Sequence, residues 1–327
     1  MSSIGGANVA DTGPSPSQGR LCVVLAAVLW STSGAFSNLL REDTTIGRLC
    51  AAGINGILAH LSLLPDATPA ALNEPQIDPL LMAFFRVLFG GAMLLALLRR
   101  REIAFRPVML LTAATFAVMN ALFVSALAYG TAANAILLQY TAPMWLWLFC
   151  VLVLRERADW RGAVALVISL SGIGVIVAGG WTATEIPVLV LALGSGVTYA
   201  GVLLGLRVMR NLSSRWITVF NFLVSALALL PFVVLLPRPT PAQLVVLFFF
   251  GTLQLGLPYV LVARGLRSLS PQEVGTLTLL EPLLNPLWAY LVVPDKERPN
   301  AFTLIGGAFI LGGLFYRYFP LRRGVPH

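Results

Sequence analysis

Charge is scarce in this chain. Only 11% of its residues are Asp, Glu, Lys or Arg, where a soluble domain carries about 25%. That shortage excludes an ordinary water-exposed globular surface. Histidine occurs only at His60 and His327, too far apart in sequence to suggest a ligand pair. Cysteine occurs only at Cys22, Cys50 and Cys150, an odd number without CxxC spacing. Such a set predicts neither a disulfide framework nor a metal site. No GxxxxGK[ST] run is present, so nothing points to direct use of ATP. No cofactor is expected.

Apolar residues fill the space that charge leaves. They make up 57% of the chain, and the mean hydropathy is +0.84. They gather in ten stretches: 21–40, 78–98, 107–128, 131–153, 160–179, 185–206, 214–236, 242–264, 271–293 and 300–319. About 20 apolar residues suffice to cross the hydrocarbon core as a helix. The expected fold is therefore all-α and integral to the membrane, with ten transmembrane helices.

Sixteen arginines fall in alternate gaps and at the two ends, while the other gaps hold Arg41, Arg48, Arg238, Lys296 and Arg298. Basic residues accumulate in cytoplasmic loops. Both termini are thus expected in the cytoplasm, with a bacterial plasma (inner) membrane as the expected setting. The net charge of +8 sits in short rims at helix ends, not in a patch interleaved with aromatics. It suits anionic headgroups and gives no nucleic-acid surface. Residues 1–19 are polar and rich in Ser, Gly and Pro, with no basic leader region. They are expected to be a disordered cytoplasmic tail, with the first span an uncleaved anchor, and 321–327 a second tail.

The chain also contains itself twice. "ALAYGTAANAILLQYTAPMWLWLFCVLVLRER" (126–157) lies over "ARGLRSLSPQEVGTLTLLEPLLNPLWAYLVVPDKER" (263–298). Pro143 meets Pro282, and Glu156 meets Glu297 across a two-residue insertion near Pro294. Each copy runs into a glycine-bearing helix. The repeats are expected at 20–180 and 181–320. Five helices per repeat is an odd number, so the second copy is inverted. Inverted repeats belong to secondary transporters, whose substrate sites lie at the repeat interface near the midplane.

These segments resemble a known family. "LLQYTAPMWLWLFCVLVLRER" and "LTLLEPLLNPLWAYLVV" look like the fourth and ninth helices of the drug/metabolite transporter superfamily, EamA type. "LAAVLWSTSGAFSNLL" is similar to its first helix and "MAFFRVLFGGAMLL" to its second. The resemblance covers about 21–45 and 73–320. It implies two five-helix repeats, a central cavity and alternating access driven by gradients. One departure stands out. Residues 46–70, "IGRLCAAGINGILAHLSLLPDATPA", look inserted between the first two helices. Arg48, Asn55 and His60 interrupt them, so a helix on the outer surface or a loop is expected, not an eleventh crossing.

Candidate chemistry is sparse. Glu281 lies ten residues into its span, about 15 Å deep at 1.5 Å per residue. A carboxylate at that depth faces a cavity or a partner. Thr278, Asn285 and Trp288 fall at i−3, i+4 and i+7, so they share its face. Arg86 lies about 12 Å into the second span. It could pair with Glu281 or hold a substrate carboxylate. Pro143, Pro258, Pro282 and Pro286 free the carbonyls of Gln139, Gln254, Thr278 and Pro282, and are candidate hinges. Gln139 and Gln254 also bring amide side chains. Trp30, Ser33, Ser37, Asn120, Tyr140, Trp145, Tyr199 and Tyr259 are further cavity candidates.

The expected function is a secondary transporter exporting small polar metabolites such as amino acids or their derivatives. Protons are the candidate coupling ion. A sugar-phosphate or nucleotide-sugar exchanger is the alternative within transport, but Arg86 alone offers little for phosphate. Outside transport, a lipid-modifying membrane enzyme or a non-transporting scaffold would not call for Glu281 and Arg86 at mid-depth.

Overall fold

A computed structural model describes residues 15–61, 71–179, 182, 185–269 and 271–318. The described chain is helical throughout. The first span is α1 (Pro16–Trp30) and α2 (Ser33–Arg41), broken at Ser31–Thr32. The helix α3 (Thr45–His60) follows. The second and third spans are α4 (Pro79–Ala96) and α5 (Val108–Tyr129). The fourth is α6 (Ala132–Gln139) and α7 (Ala142–Leu152), and the fifth is α8 (Trp160–Gly179).

The second half repeats the count. It holds α9 (Ile186–Val208), α10 (Ser214–Val233) and then a composite span. That span is α11 (Pro241–Phe249), a π-helical segment Phe250–Gly256 and α12 (Leu257–Gly265). The last two spans are α13 (Pro271–Thr278) with α14 (Leu280–Val292), and α15 (Ala301–Tyr318). Eight of the ten are long and apolar enough to cross a membrane, and α15 is a shorter apolar helix. Helices satisfy their own backbone groups, which hydrocarbon cannot do. Exposed leucines, valines and phenylalanines such as Leu111, Val190, Leu227 and Phe232 are left on the outside.

One local reading changes. The first helix starts at Pro16, inside the stretch expected to be a tail. Ser15 accepts from the Gln18 N–H while the Gln18 side chain accepts from the Ser15 N–H. This reciprocal cap starts a helix earlier than hydropathy suggests. The rest of that expected tail, 1–14, lies outside the described residues, as does 321–327. Within the inserted segment, 45–60 forms α3, capped by Thr44, and 62–70 lies outside the described residues. At 16 residues α3 spans about 24 Å, short of the hydrocarbon thickness. It packs on the ends of α2 and α11.

Packing makes the repeat visible. Exchange the halves, so that the first span becomes the sixth, the second the seventh, and so on. The pairing α5·α9 then becomes α12·α1, and α6·α9 and α7·α9 become α13·α1 and α14·α1. The pairs α8·α15 and α4·α10 map onto themselves. Two glycine contacts swap as well. A Cβ on Gly172 would lie 2.6 Å from the Gly306 carbonyl oxygen, and one on Gly313 would lie 3.0 Å from that of Ala165. Ala165 and Gly306, like Gly172 and Gly313, are 141 residues apart. So are Glu156 and Glu297, and so are the caps of the fifth and tenth spans. Asp159 accepts from the Gly162 N–H at 2.6 Å, and Asn300 from the Thr303 N–H at 2.7 Å. The protein is two five-helix repeats of inverted orientation.

The bundle has two rims. One carries Arg99, Arg100, Arg101, Arg155, Arg157, Arg207 and Arg210. The other carries residues 42–45, 130, 236–240 and 294–300 and is poor in arginine.

Candidate substrate site

Four of the spans lining the middle of the bundle are not continuous α-helices. The fourth and ninth break at matching places, just before Pro143 and just before Pro282. Proline cannot donate to the carbonyl four residues back. At Pro282 the orphaned carbonyl belongs to Thr278, and the Tyr140 hydroxyl lies 3.0 Å from it. The same hydroxyl donates to Glu281 Oε2 at 2.7 Å. In the eighth span, the π-helical turn sits immediately before Pro258. Such turns absorb an unsatisfied carbonyl and cluster at functional sites.

The first span breaks without a proline, and tertiary bonds hold it open. Gln254 Nε2 donates to the Trp30 carbonyl at 2.9 Å. Trp288 Nε1 donates to Ser31 Oγ at 2.9 Å, and Asn285 Nδ2 to Ser33 Oγ at 2.8 Å. Asn285 Oδ1 also accepts from the Gly34 N–H at 3.3 Å. Asn285 and Trp288 share a helix face with Glu281 but serve the first span and do not line the cavity.

The cavity these breaks surround has a volume of about 460 Å³. That falls within the range of small-molecule sites, about 300–1,000 Å³. Its polar groups are Glu281, Arg86, Gln139, Thr278, Tyr140, Tyr199 and Tyr259. Its apolar wall includes Trp30, Phe116, Phe123, Pro143 and Leu255. Trp30 meets Tyr259 edge to face at 5.3 Å.

Arg86 is 6% exposed and rigidly held. Its Nε donates to Gln254 Oε1 at 2.9 Å and its Nη1 to Asn120 Oδ1 at 3.1 Å. The guanidinium carbon lies 5.6 Å from the Phe123 ring centre and 5.2 Å from that of Phe250. Asn120 is itself anchored, donating to the Ala83 carbonyl at 3.0 Å. Of the two roles open to Arg86, the ion pair with Glu281 is not formed in this structure. The five ion pairs among the described residues all lie at the rims. Amide oxygens and ring faces hold the positive charge.

The two ends of the cavity differ. Toward the arginine-rich rim, a second cavity of about 530 Å³ shares Tyr259 and Val262 with the first. It reaches Gln18, Arg215, Arg264 and Arg267. Toward the other rim the side chains are closed over. Ser33, Ser37, Asn38, Leu40, Ala132, Asn285, Ala289 and Glu297 are all buried. A Cβ on Gly34 would lie 2.4 Å from the Ala132 Cβ and 2.7 Å from Asn285 Oδ1. Only glycine lets α2, α6 and α14 approach so closely.

The profile of the EamA-like transporter family matches residues 67–178 and 186–318. The chain belongs to this family. Among its relatives is the uncharacterized transporter YwfM of Bacillus subtilis, 28% identical over 264 residues, covering 76% of this chain and 86% of that one. An uncharacterized transporter of Archaeoglobus fulgidus is also 28% identical, over 240 residues, covering 72% of this chain and 86% of its own. A solved crystal structure superposes with a TM-score of 0.55 at 20% identity, over 94% of this chain and all of that one. At that identity the likeness concerns the fold alone.

In this EamA-like transporter the cavity brings together Glu281, Arg86, Thr278, Gln139, Tyr140, Trp30, Tyr199, Tyr259 and Pro143. Gln254 and Asn120 stand behind Arg86. Pro258, Pro282 and Pro286 shape helices without lining the cavity. Three features escape a sequence reading. The first is the aromatic clamp of Phe123 and Phe250 on Arg86. The second is Ser31, which with Ser33 accepts at the break of the first span. The third is the buried cluster around Glu297. Glu297 had one usable signal, its repeat match to Glu156.

Proposed function

We propose that the protein exports small zwitterionic metabolites with an apolar body, amino acids and their derivatives among them, by proton-coupled alternating access. The observation that carries this reading is the cavity itself. It holds a carboxylate, Glu281, and a guanidinium, Arg86, that are not paired with each other. A zwitterion would present its ammonium to the first and its carboxylate to the second. The aromatic wall would take its apolar body. Phosphate-bearing substrates are the weaker reading, because among the described residues Arg86 is the one cation lining the central cavity.

The two repeats, 20–180 and 181–320, act as the two arms of the cycle. The arginine asymmetry supports a cytoplasmic face at the arginine-rich rim and cytoplasmic termini in a bacterial inner membrane. Glu281 carries the proton, since its charge at the cavity wall changes the cost of switching between openings. The decisive test is transport in proteoliposomes against a metabolite panel, with Glu281→Gln beside wild type. Gln mimics the protonated carboxyl. The variant should keep some substrate exchange at equal pH, with weakened substrate affinity because the ammonium loses its charged partner, and lose the response to a pH jump. A full pH response in Glu281→Gln removes Glu281 as the coupling group. Transport confined to phosphorylated compounds removes the zwitterion reading.

A further inference from the structure

We propose that Glu297 and Glu156 are reciprocal latches, each closing one mouth of the transport path when buried and releasing it when exposed. The inference rests on alternating access but not on any particular substrate.

At the arginine-poor mouth Glu297 is 1% exposed. Its Oε1 accepts from Asn38 Nδ2 at 2.8 Å. Its Oε2 accepts from the Ala132 N–H at 2.8 Å, at the first residue of α6. Lys296 Nζ donates to Glu42 Oε1 at 2.7 Å and reaches Asn38 Oδ1 and the Ala128 carbonyl at 3.3 Å each. The loop between the ninth and tenth spans is thereby tied to the ends of the first, third and fourth. These bonds to Glu297 are charge-assisted and shielded from water.

The exchange of halves carries Glu297 to Glu156 and the end of the first span to the end of the sixth. Glu156 does meet the end of the sixth span. Arg207 Nη2 donates to its Oε1 at 2.8 Å and Nη1 to its Oε2 at 3.2 Å. The partner element is the same, but the surroundings are opposite. The Glu156 side chain is 42% exposed and lies on the rim toward which the cavity extends. One carboxylate is sealed at the closed mouth, and its repeat mate is wet at the other. A molecule that alternates between openings by exchanging the roles of its halves must exchange these two environments. In the opposite state Glu156 is buried against the end of α9, and Glu297 faces water.

Ser37 gives the readout. It is fully buried, lies on α2 between Gly34 and Asn38, and its hydroxyl has no hydrogen-bond partner among the described residues. Cys22, Cys50 and Cys150 are replaced by Ser, Ser37→Cys is introduced, and a membrane-impermeant maleimide is applied from the arginine-poor side without substrate. Asn38→Ala and Glu297→Ala should each raise the labelling rate about tenfold or more, the effect of removing one charge-assisted bond from a two-state equilibrium. Glu156→Ala should lower it by a similar factor, because it removes the contact that closes the other mouth. Opposite signs from repeat-related carboxylates distinguish a latch from a merely structural contact. Shifts of the same sign, or no shift at normal abundance, overturn the proposal. Asn38→Ala leaves Glu297 in place and carries the test should Glu297→Ala not fold. A thiol at 37 that responds to substrate but not to these variants removes only the latches. A thiol that responds to neither removes alternating access itself.

Discussion

The hydroxyl of Tyr140 donates to Glu281 across the interface between the fourth and ninth spans, at 2.7 Å. Both residues stand at breaks that the two repeats share. The contact therefore joins the cavity's carboxylate to the seam between the two repeats. Tyr140→Phe removes the donor and keeps the ring. Transport rate should fall roughly tenfold, the scale of a bond to a charged group, with substrate affinity less affected. Initial rates over a range of substrate concentrations separate the two.

Arg86 is held by shape as much as by charge. Its fork meets Gln254 and Asn120, and its faces meet Phe123 and Phe250. Arg86→Lys keeps the charge but loses the plane, so transport should fall by roughly tenfold or more. Normal transport by Arg86→Gln at normal abundance would show that Arg86 is structural only.

Burial holds the Glu297 carboxyl above its ordinary value, although Asn38, the Ala132 N–H and Lys296 pull it down; Glu42 adds to the upward shift. The closed mouth therefore binds this proton more tightly than a mouth that exposes Glu297. By linkage, acid favours closure, and that preference is lost as pH rises through the raised value. Labelling of Ser37→Cys should rise with pH above the ordinary glutamate range, about 4.3. Dividing by the rate in Glu297→Gln corrects for thiol ionisation and for other titrating groups. A ratio flat with pH would contradict the linkage.

Gly172 meets the Gly306 carbonyl with no room for a side chain. Gly172→Leu should destabilise the α8·α15 crossing by about 1–3 kcal/mol, the usual cost of overpacking. Thermal unfolding in detergent checks this, and an unchanged midpoint would mean that the crossing relaxes freely.

Cysteines placed at residues 103 and 211 should react only from the cytoplasmic side, and one at residue 57, exposed on α3, only from the other. Labelling of 57 from the cytoplasm would reverse the topology.

Much of this architecture was legible because a span needs little more than a run of apolar residues. The fourth and ninth breaks were legible too, since Pro143 and Pro282 each remove a donor. The break at Ser31–Thr32 was not. No proline marks it, and its partners Gln254, Asn285 and Trp288 lie more than 220 residues away in sequence. Glu281 and Arg86 could be placed by depth, but their partners could not. Amide oxygens satisfied Arg86 where a carboxylate seemed the natural choice. Glu297 reads as a loop charge at a rim, and its burial comes from Asn38 and Ala132, which lie far from it in sequence.

The backbone contacts between α8 and α15 also have a mechanical meaning. At Gly172 and Gly306 main chain rests on main chain, flanked by Ile176, Phe309 and Ile310, and at Gly313 the Ser169 hydroxyl and the Ala165 carbonyl are the near atoms. In an alternating cycle such a crossing would serve as a fulcrum. A rim ten residues away stands about 15 Å from it along the helix. A tilt of about 10° on that arm displaces the rim by roughly 3 Å, about the width of a water molecule. The centre stays almost still while a mouth goes from dry to wet.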